Sequence, residues 1–228
     1  MQLFKQEEEL VNAFTLRSNA FLSGLLRKSD FCSFLIHEFN SYFGIADVVL
    51  GTLNLSASNS KRGPVNPNWV GPLATLKKGQ VFTVDGFGKS FRVSGTSARN
   101  YLKNYEDAGF LVRTERASFK VIKEYRPVTS FVVSIEAKLK NWQRALEQAQ
   151  RYKKFSDLSF VLLDGSHAEV AIKNIDKFRE KNIGLICLSE AKMETHFVPS
   201  KNDKKVSEYC FRVSEMAYGS YSAMSSTC

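Results

Sequence analysis

The sequence predicts an α/β protein with a smaller domain inserted into the chain. Three observations carry this. Short apolar, β-branched runs recur at residues 45–50, 131–135, 159–163 and 183–188, as buried strands require. Patterns of helical period follow at 140–154 and about 167–181. A run of turn formers from 56 to 68, poor in apolar residues, separates off a segment with its own helix–helix–hairpin pattern that ends near Pro127,.

Element by element, residues 5–27 read as helical and mixed in polarity. A second helix is expected from Ser29 or Asp30, both good N-cap types, to Gly44, a common helix stop. It would carry Phe31, Phe34, Leu35, Phe39 and Tyr42 at three- and four-residue spacing,. A strand follows from Ile45 toward Leu55, then the 56–68 stretch, read as a linker. After Pro127 come the strand ending at Lys138, a helix over 140–154, and strands at 159–163, 183–188 and 195–198. The tail, 218–228, is small and polar and reads as a frayed end,. No internal repeat is present.

The chain has 228 residues, room for one large or two small domains,. Its 43% hydrophobic content supports a core, and its 24% charged content is ordinary for a water-soluble protein,. No apolar run is long enough to span a bilayer. The acidic N-terminus lacks the charged-then-apolar order of a signal peptide, so a cytoplasmic protein with no membrane partner is expected. Cys32, Cys187, Cys210 and Cys228 are widely spaced without a CxxC pair and read as free thiols,. His37, His167 and His196 have no ligand spacing. The net charge of +9 and pI near 9.4 favour polyanionic partners, nucleic acid above all,. Simple solubility is the bland alternative.

Four residues stand out: Glu38, Asp47, Glu136 and Lys138. Asp47 lies inside an otherwise apolar strand, where a carboxylate is costly unless paired or bound to a metal. Glu136 and Lys138, two apart on another strand, point to the same face. If those strands are neighbours, Asp47 and Glu136 would hold one Mg2+ (Mn2+ can substitute), with water and a phosphate completing its shell. Lys138 would offset charge on the phosphate, and Glu38 would reach the metal or its water from the preceding helix. The alternative is a plain Glu136–Lys138 ion pair on an edge strand, with Asp47 capping a turn.

Further residues extend the pattern. Trp142, Ala145, Leu146, Gln148, Ala149 and Tyr152 follow Glu136-Ala137-Lys138-Leu139, and then comes the apolar run ending at Leu163. Together with Glu38 and Asp47, this resembles the PD-(D/E)XK nuclease superfamily, over residues 29–55 and 129–190. The Pro usual before the first Asp is Ala46 here, a position that varies widely in the superfamily. Gln148 and Tyr152 match the QxxxY pair of part of that superfamily, which implies a catalytic role for Gln148. The resemblance implies an α/β restriction-endonuclease-like core, with a mixed central sheet flanked by helices, in two pieces, 1–60 and 128–228, around an insert at 69–127. Trp142, Ala145, Leu146 and Ala149 form an apolar stripe toward the sheet. Lys140, Arg144, Gln148 and Arg151 form another, which would hold substrate phosphates, Arg144 among them; for Lys140 and Arg151 a solvated face is an equal alternative.

Within the insert, Ala98, Tyr101, Leu102 and Tyr105 repeat at helical spacing, and Gly109 stops that helix. The chain after it alternates like a hairpin with Arg113, Arg116, Lys120 and Lys123 exposed. This order resembles winged helix-turn-helix DNA-binding domains. The resemblance implies a recognition helix presenting Thr96, Ser97, Arg99, Asn100 and Lys103, with Arg113, Arg116 and Lys120 on the wing. Winged helices also bind proteins. The whole points to a Mg2+-dependent DNA endonuclease acting on duplex DNA. Cutting both strands would call for a homodimer or two sequential nicks. The rival expectations are a DNA-binding regulator or adaptor with a catalytically silent core, and an RNA substrate.

Overall fold

The computed structural model describes residues 4–56, 61–114 and 118–225. In chain order its elements are α1 (Glu7–Thr15), α2 (Ser18–Leu26), β1 (Cys32–Asn40), β2 (Ile45–Leu53), α3 (Val70–Thr75), β3 (Val81–Phe82), α4 (Val84–Phe91), α5 (Gly95–Asp107), β4 (Leu111–Arg113), β5 (Phe119–Val121), β6 (Thr129–Lys138), α6 (Trp142–Tyr152), β7 (Leu158–Asp164), α7 (Glu169–Lys173), α8 (Ile175–Lys181), β8 (Gly184–Leu188), β9 (Met193–Phe197) and α9 (Ser207–Ser225). The chain divides into two compact units, Met1–Leu53 with Ser130–Tyr209 and Asn54–Thr129 with Cys210–Cys228. The C-terminal stretch, read from the sequence as part of the first unit, thus belongs to the second.

The first unit is an α/β assembly around a mixed six-stranded sheet, ordered β1-β2-β6-β7-β8-β9. β6, β7 and β8 run parallel, joined by α6 and then by α7 with α8, while β1–β2 and β8–β9 are antiparallel. A parallel pair needs such a crossover, and a hairpin does not. Helices cover both faces. Leu10, Phe14, Phe21 and Leu22 of α1 and α2 pack on Val48, Leu50, Ile135, Phe160 and Leu162. Trp142, Ala145, Leu146 and Ala149 of α6 pack with Phe178 of α8 on Val161, Leu163 and Leu185. Strands enclosed in this way are apolar along their whole length, and every residue of β7 and β8 is buried.

The second helix expected over 29–44 is instead strand β1. Phe34 and Ile36 are buried with period two. Glu38 then adopts a left-handed φ of 51°, and Phe39 turns inward one position early. That local break makes Phe31, Phe34, Leu35, Phe39 and Tyr42 imitate a helical repeat.

The second unit holds α3, α4 and α5, a three-stranded sheet of order β3-β5-β4, and most of α9. Its core gathers Leu73, Phe87, Ala98, Leu102, Tyr105, Phe110 and Val121. Thr83 and Ser94 cap α4 and α5 through their side chains,. Gly109, just past α5, takes the left-handed φ of 79° that glycine accepts without strain,. Two expectations are corrected here. Within the supposed linker, Val65 is buried and Arg62 forms a buried ion pair with Glu215; residues 57–60 lie outside those described. The supposed frayed tail is helical as far as Ser225.

Among the described residues no helix is long and apolar enough to cross a membrane. Cys32 and Cys187 are free thiols, Cys210 is half-buried on α9, and Cys228 lies outside the described residues.

Candidate functional site

β2 and β6 are neighbours in the sheet, and this brings Asp47 to Glu136. Val48, Ile135 and Ala137 point into the core beneath α1 and α2. Asp47 and Glu136, each one residue out of step with them, point away from that core. The Ala137 amide donates to Asp47 Oδ2 at 2.7 Å. Glu136 is only 1% exposed. Its Oε2 lies 2.7 Å from the Tyr152 hydroxyl, which is also 2.6 Å from the Ile45 carbonyl oxygen.

Lys138, at the end of β6, has a side chain 15% exposed. Its ammonium lies 3.2 Å from Glu136 Oε1, 2.8 Å from the Ala137 carbonyl oxygen and 2.8 Å from Glu7 Oε2. Glu7, in the first turn of α1, is a participant that the sequence reading missed. Its signal was present: Glu7, Glu8 and Glu9 open a helix whose Leu10 and Phe14 are buried, and acids in a first turn suit the helix dipole. Which acid would turn toward Lys138 depends on how α1 docks. Glu7, Glu8, Asn12, His37, Glu38 and Asp47 are among the residues lining a cleft of about 430 Å3.

The carboxylates disturb one another. Burial, and then the charge of Asp47, hold the Glu136 carboxyl above its usual range, against the pull of Tyr152 and Lys138,. Burial also raises the Asp47 carboxyl, with Glu7 and Glu38 adding to the effect and the Ala137 amide and Lys138 opposing it. Burial opposes the charge on Lys138, yet Glu7, Glu136 and Asp47 together raise its pKa. The two carboxylates are the oxygen donors here that could hold a hard divalent cation. Among the described residues no group of three or more His, Cys, Asp and Glu side chains is set to hold a metal ion.

Glu38 is not on a helix, as the sequence reading had it. It lies on β1, exposed, between the pairs His37–Val48 and Phe39–Ala46. That position sets it opposite Asp47. Gln148 is on α6, and its Oε1 is buried with no hydrogen-bond partner. Arg144 is exposed in the first turn of α6, where its amide donates to the Asn141 cap.

In the second unit, Thr96, Arg99, Asn100 and Lys103 are exposed on α5, and spacings of three and four put them on one face. Ser97 is half-buried and turned to the helix cap, its amide donating to Ser94 Oγ. Arg113 on β4 is exposed but pairs with Glu106 at 3.0 Å. Lys120 on β5 is exposed. Arg116 lies outside the described residues. No protein family, curated protein or solved structure was found to match this chain.

Proposed function

We propose that this protein is a metal-dependent DNA endonuclease, with a restriction-endonuclease-like first unit and a winged helix as the second. The observation that carries the reading is the convergence of Asp47, Glu136 and Lys138 at neighbouring strands, with both carboxyls held above their usual range. Asp47 and Glu136 would hold one Mg2+, leaving positions for water and a phosphate oxygen, since this ion is commonly bound through one or two carboxylates. When bound, the ion supplies Lewis-acid polarisation of the phosphate and a more acidic water.

The chain's own residues do the rest. The Ala137 amide fixes the direction of the Asp47 carboxylate. Tyr152 fixes that of Glu136, and Lys138 presents a positive charge where negative charge builds on the phosphate. The exposed face of α5 and the basic hairpin would hold duplex DNA mainly through phosphates.

A second reading, a DNA-binding adaptor with a silent core, is favoured by one observation. The Lys138 ammonium already meets three acceptors, one of them Glu7. Incubating the protein with plasmid and linear DNA in Mg2+ or Mn2+ separates the two. Cleavage is expected from the parent. Asp47→Ala and Lys138→Ala should each lose it while binding DNA as before. Parent-like cleavage by both variants would remove this site from the reaction, and a parent that binds DNA without ever cutting it would leave the adaptor.

A further inference from the structure

We propose that the tip of the β1–β2 hairpin, Tyr42 with Ile45, receives an unpaired or splayed base of the DNA strand held at Asp47 and Glu136. This rests on the nuclease reading above and deepens it by naming the DNA structure favoured.

The tip is a tight loop between the paired residues Asn40 and Ile45. It exposes two large apolar side chains, Tyr42 at 62% and Ile45 at 54%. One such residue alone on a surface is unremarkable; two on one short, tied-down loop form a shaped feature. The Ser41 amide and hydroxyl both donate to the Gly44 carbonyl, the Tyr42 amide donates to Asn40 Oδ1, and the Phe43 amide donates to Ser41 Oγ. Tyr42 is held at a φ of 67°. Glycine or asparagine would take that conformation more readily, so chain reversal does not account for an aromatic ring here. Strained positions of this kind cluster at ligand clamps.

The surroundings suit a nucleic-acid strand. The rings of Tyr42 and Phe43 both pack edge-on to Tyr209. Lys154 Nζ lies 3.4 Å from the centre of the Phe43 ring. A methyl group on Gly44 would come within 3.8 Å of the Arg151 guanidinium carbon. Both cations are on exposed residues. Aromatic and apolar surface interleaved with cations is what single-stranded nucleic acid stacks on, bases over rings and phosphates at the charges.

Placement relative to the reaction decides which base is meant. Ile45 and Asp47 are two apart on β2 and so face the same side. The Ile45 carbonyl oxygen reaches Glu136 through one Tyr152 hydroxyl. A strand whose phosphate sits at the carboxylates would have a neighbouring nucleotide within reach of the hairpin tip. A stacked, paired base offers no free face, whereas a base at a gap, fork or opened step does. The geometry points to a preference for DNA with interrupted pairing next to the cut.

The test is fluorescence anisotropy with Ca2+ in place of Mg2+, on a duplex with a short single-stranded gap and on the same duplex fully paired. Tyr42→Asn suits the left-handed turn and Ile45→Thr keeps β-branching, so both preserve the loop. The double variant should bind the gapped duplex about tenfold more weakly, the worth of one stacked base, and the paired duplex almost unchanged. Tyr42→Phe should behave like the parent. Equal losses on both DNAs, or no loss on either, would overturn the hairpin assignment alone. A parent that binds neither DNA would overturn the DNA reading together with it.

Discussion

At the scale of single residues, the site is a balance of charges that favours protons on its carboxylates. Asp47 and Glu136 have carboxyls above their ordinary range in the folded chain. Between the ordinary and the raised values the folded protein therefore holds protons that the unfolded chain has released. Linkage then makes the contribution of these groups to stability largest below the ordinary carboxylate range and lost as pH rises through the raised values. A divalent cation held there would act in the opposite sense, because only the deprotonated pair would bind it. Mg2+ at neutral pH should raise the Tm of the parent, by a few degrees when the ion is well above its Kd. Asp47→Asn should remove that Mg2+ response. A thermal scan with and without the ion measures this without reference to activity, and an equal shift in parent and variant would place the ion elsewhere.

Individual elements hold the site in register. β2 carries Asp47 and lies against β6 with Gly51 at the closest approach; a methyl group there would run into the Phe131 carbonyl oxygen, backbone that cannot swing aside. Gly51→Ala should destabilise the first unit by about 1–3 kcal/mol or more, as overpacking does. Its urea midpoint should fall, and any loss of cleavage should track unfolding. Unchanged stability would mean that the two strands can separate here at little cost. α6 was readable from sequence because its apolar stripe of Trp142, Ala145, Leu146 and Ala149 is unbroken, and all four residues are buried. β1 was not readable, because one left-handed residue, Glu38, shifts the inward-facing frame and disguises a strand as a helix. α1 instead brings Glu7 to Lys138.

Across the whole molecule, the net charge of +9 lies almost wholly in the second unit, and any share that meets DNA would be measurable. If the exposed face of α5 contacts phosphates, Arg99→Ala combined with Lys103→Ala should lower the slope of log K against log salt by about 2, each lost contact removing about 0.9. An unchanged slope would mark that face as a protein-binding surface. The division into units was partly legible. The turn-rich stretch did separate two patterns, yet Arg62 within it is tied to Glu215 on α9, more than a hundred residues away in sequence. A long-range ion pair leaves no local trace in composition.

Periodicity and residue type were sufficient for the central strands, for α6 and for the α/β class, and they drew attention to Asp47, Glu136 and Lys138, which lie on neighbouring strands. Those features are local: side chains alternate or repeat with the backbone's own geometry, and a carboxylate in an apolar strand is conspicuous. The frame shift at Glu38, the partnership of Glu7 with Lys138, the exposed hairpin tip beside Asp47 and the seat of the C-terminal helix emerged only on folding. Each depends on which distant segment packs against which, and that is settled by summed burial and pairing over the whole chain.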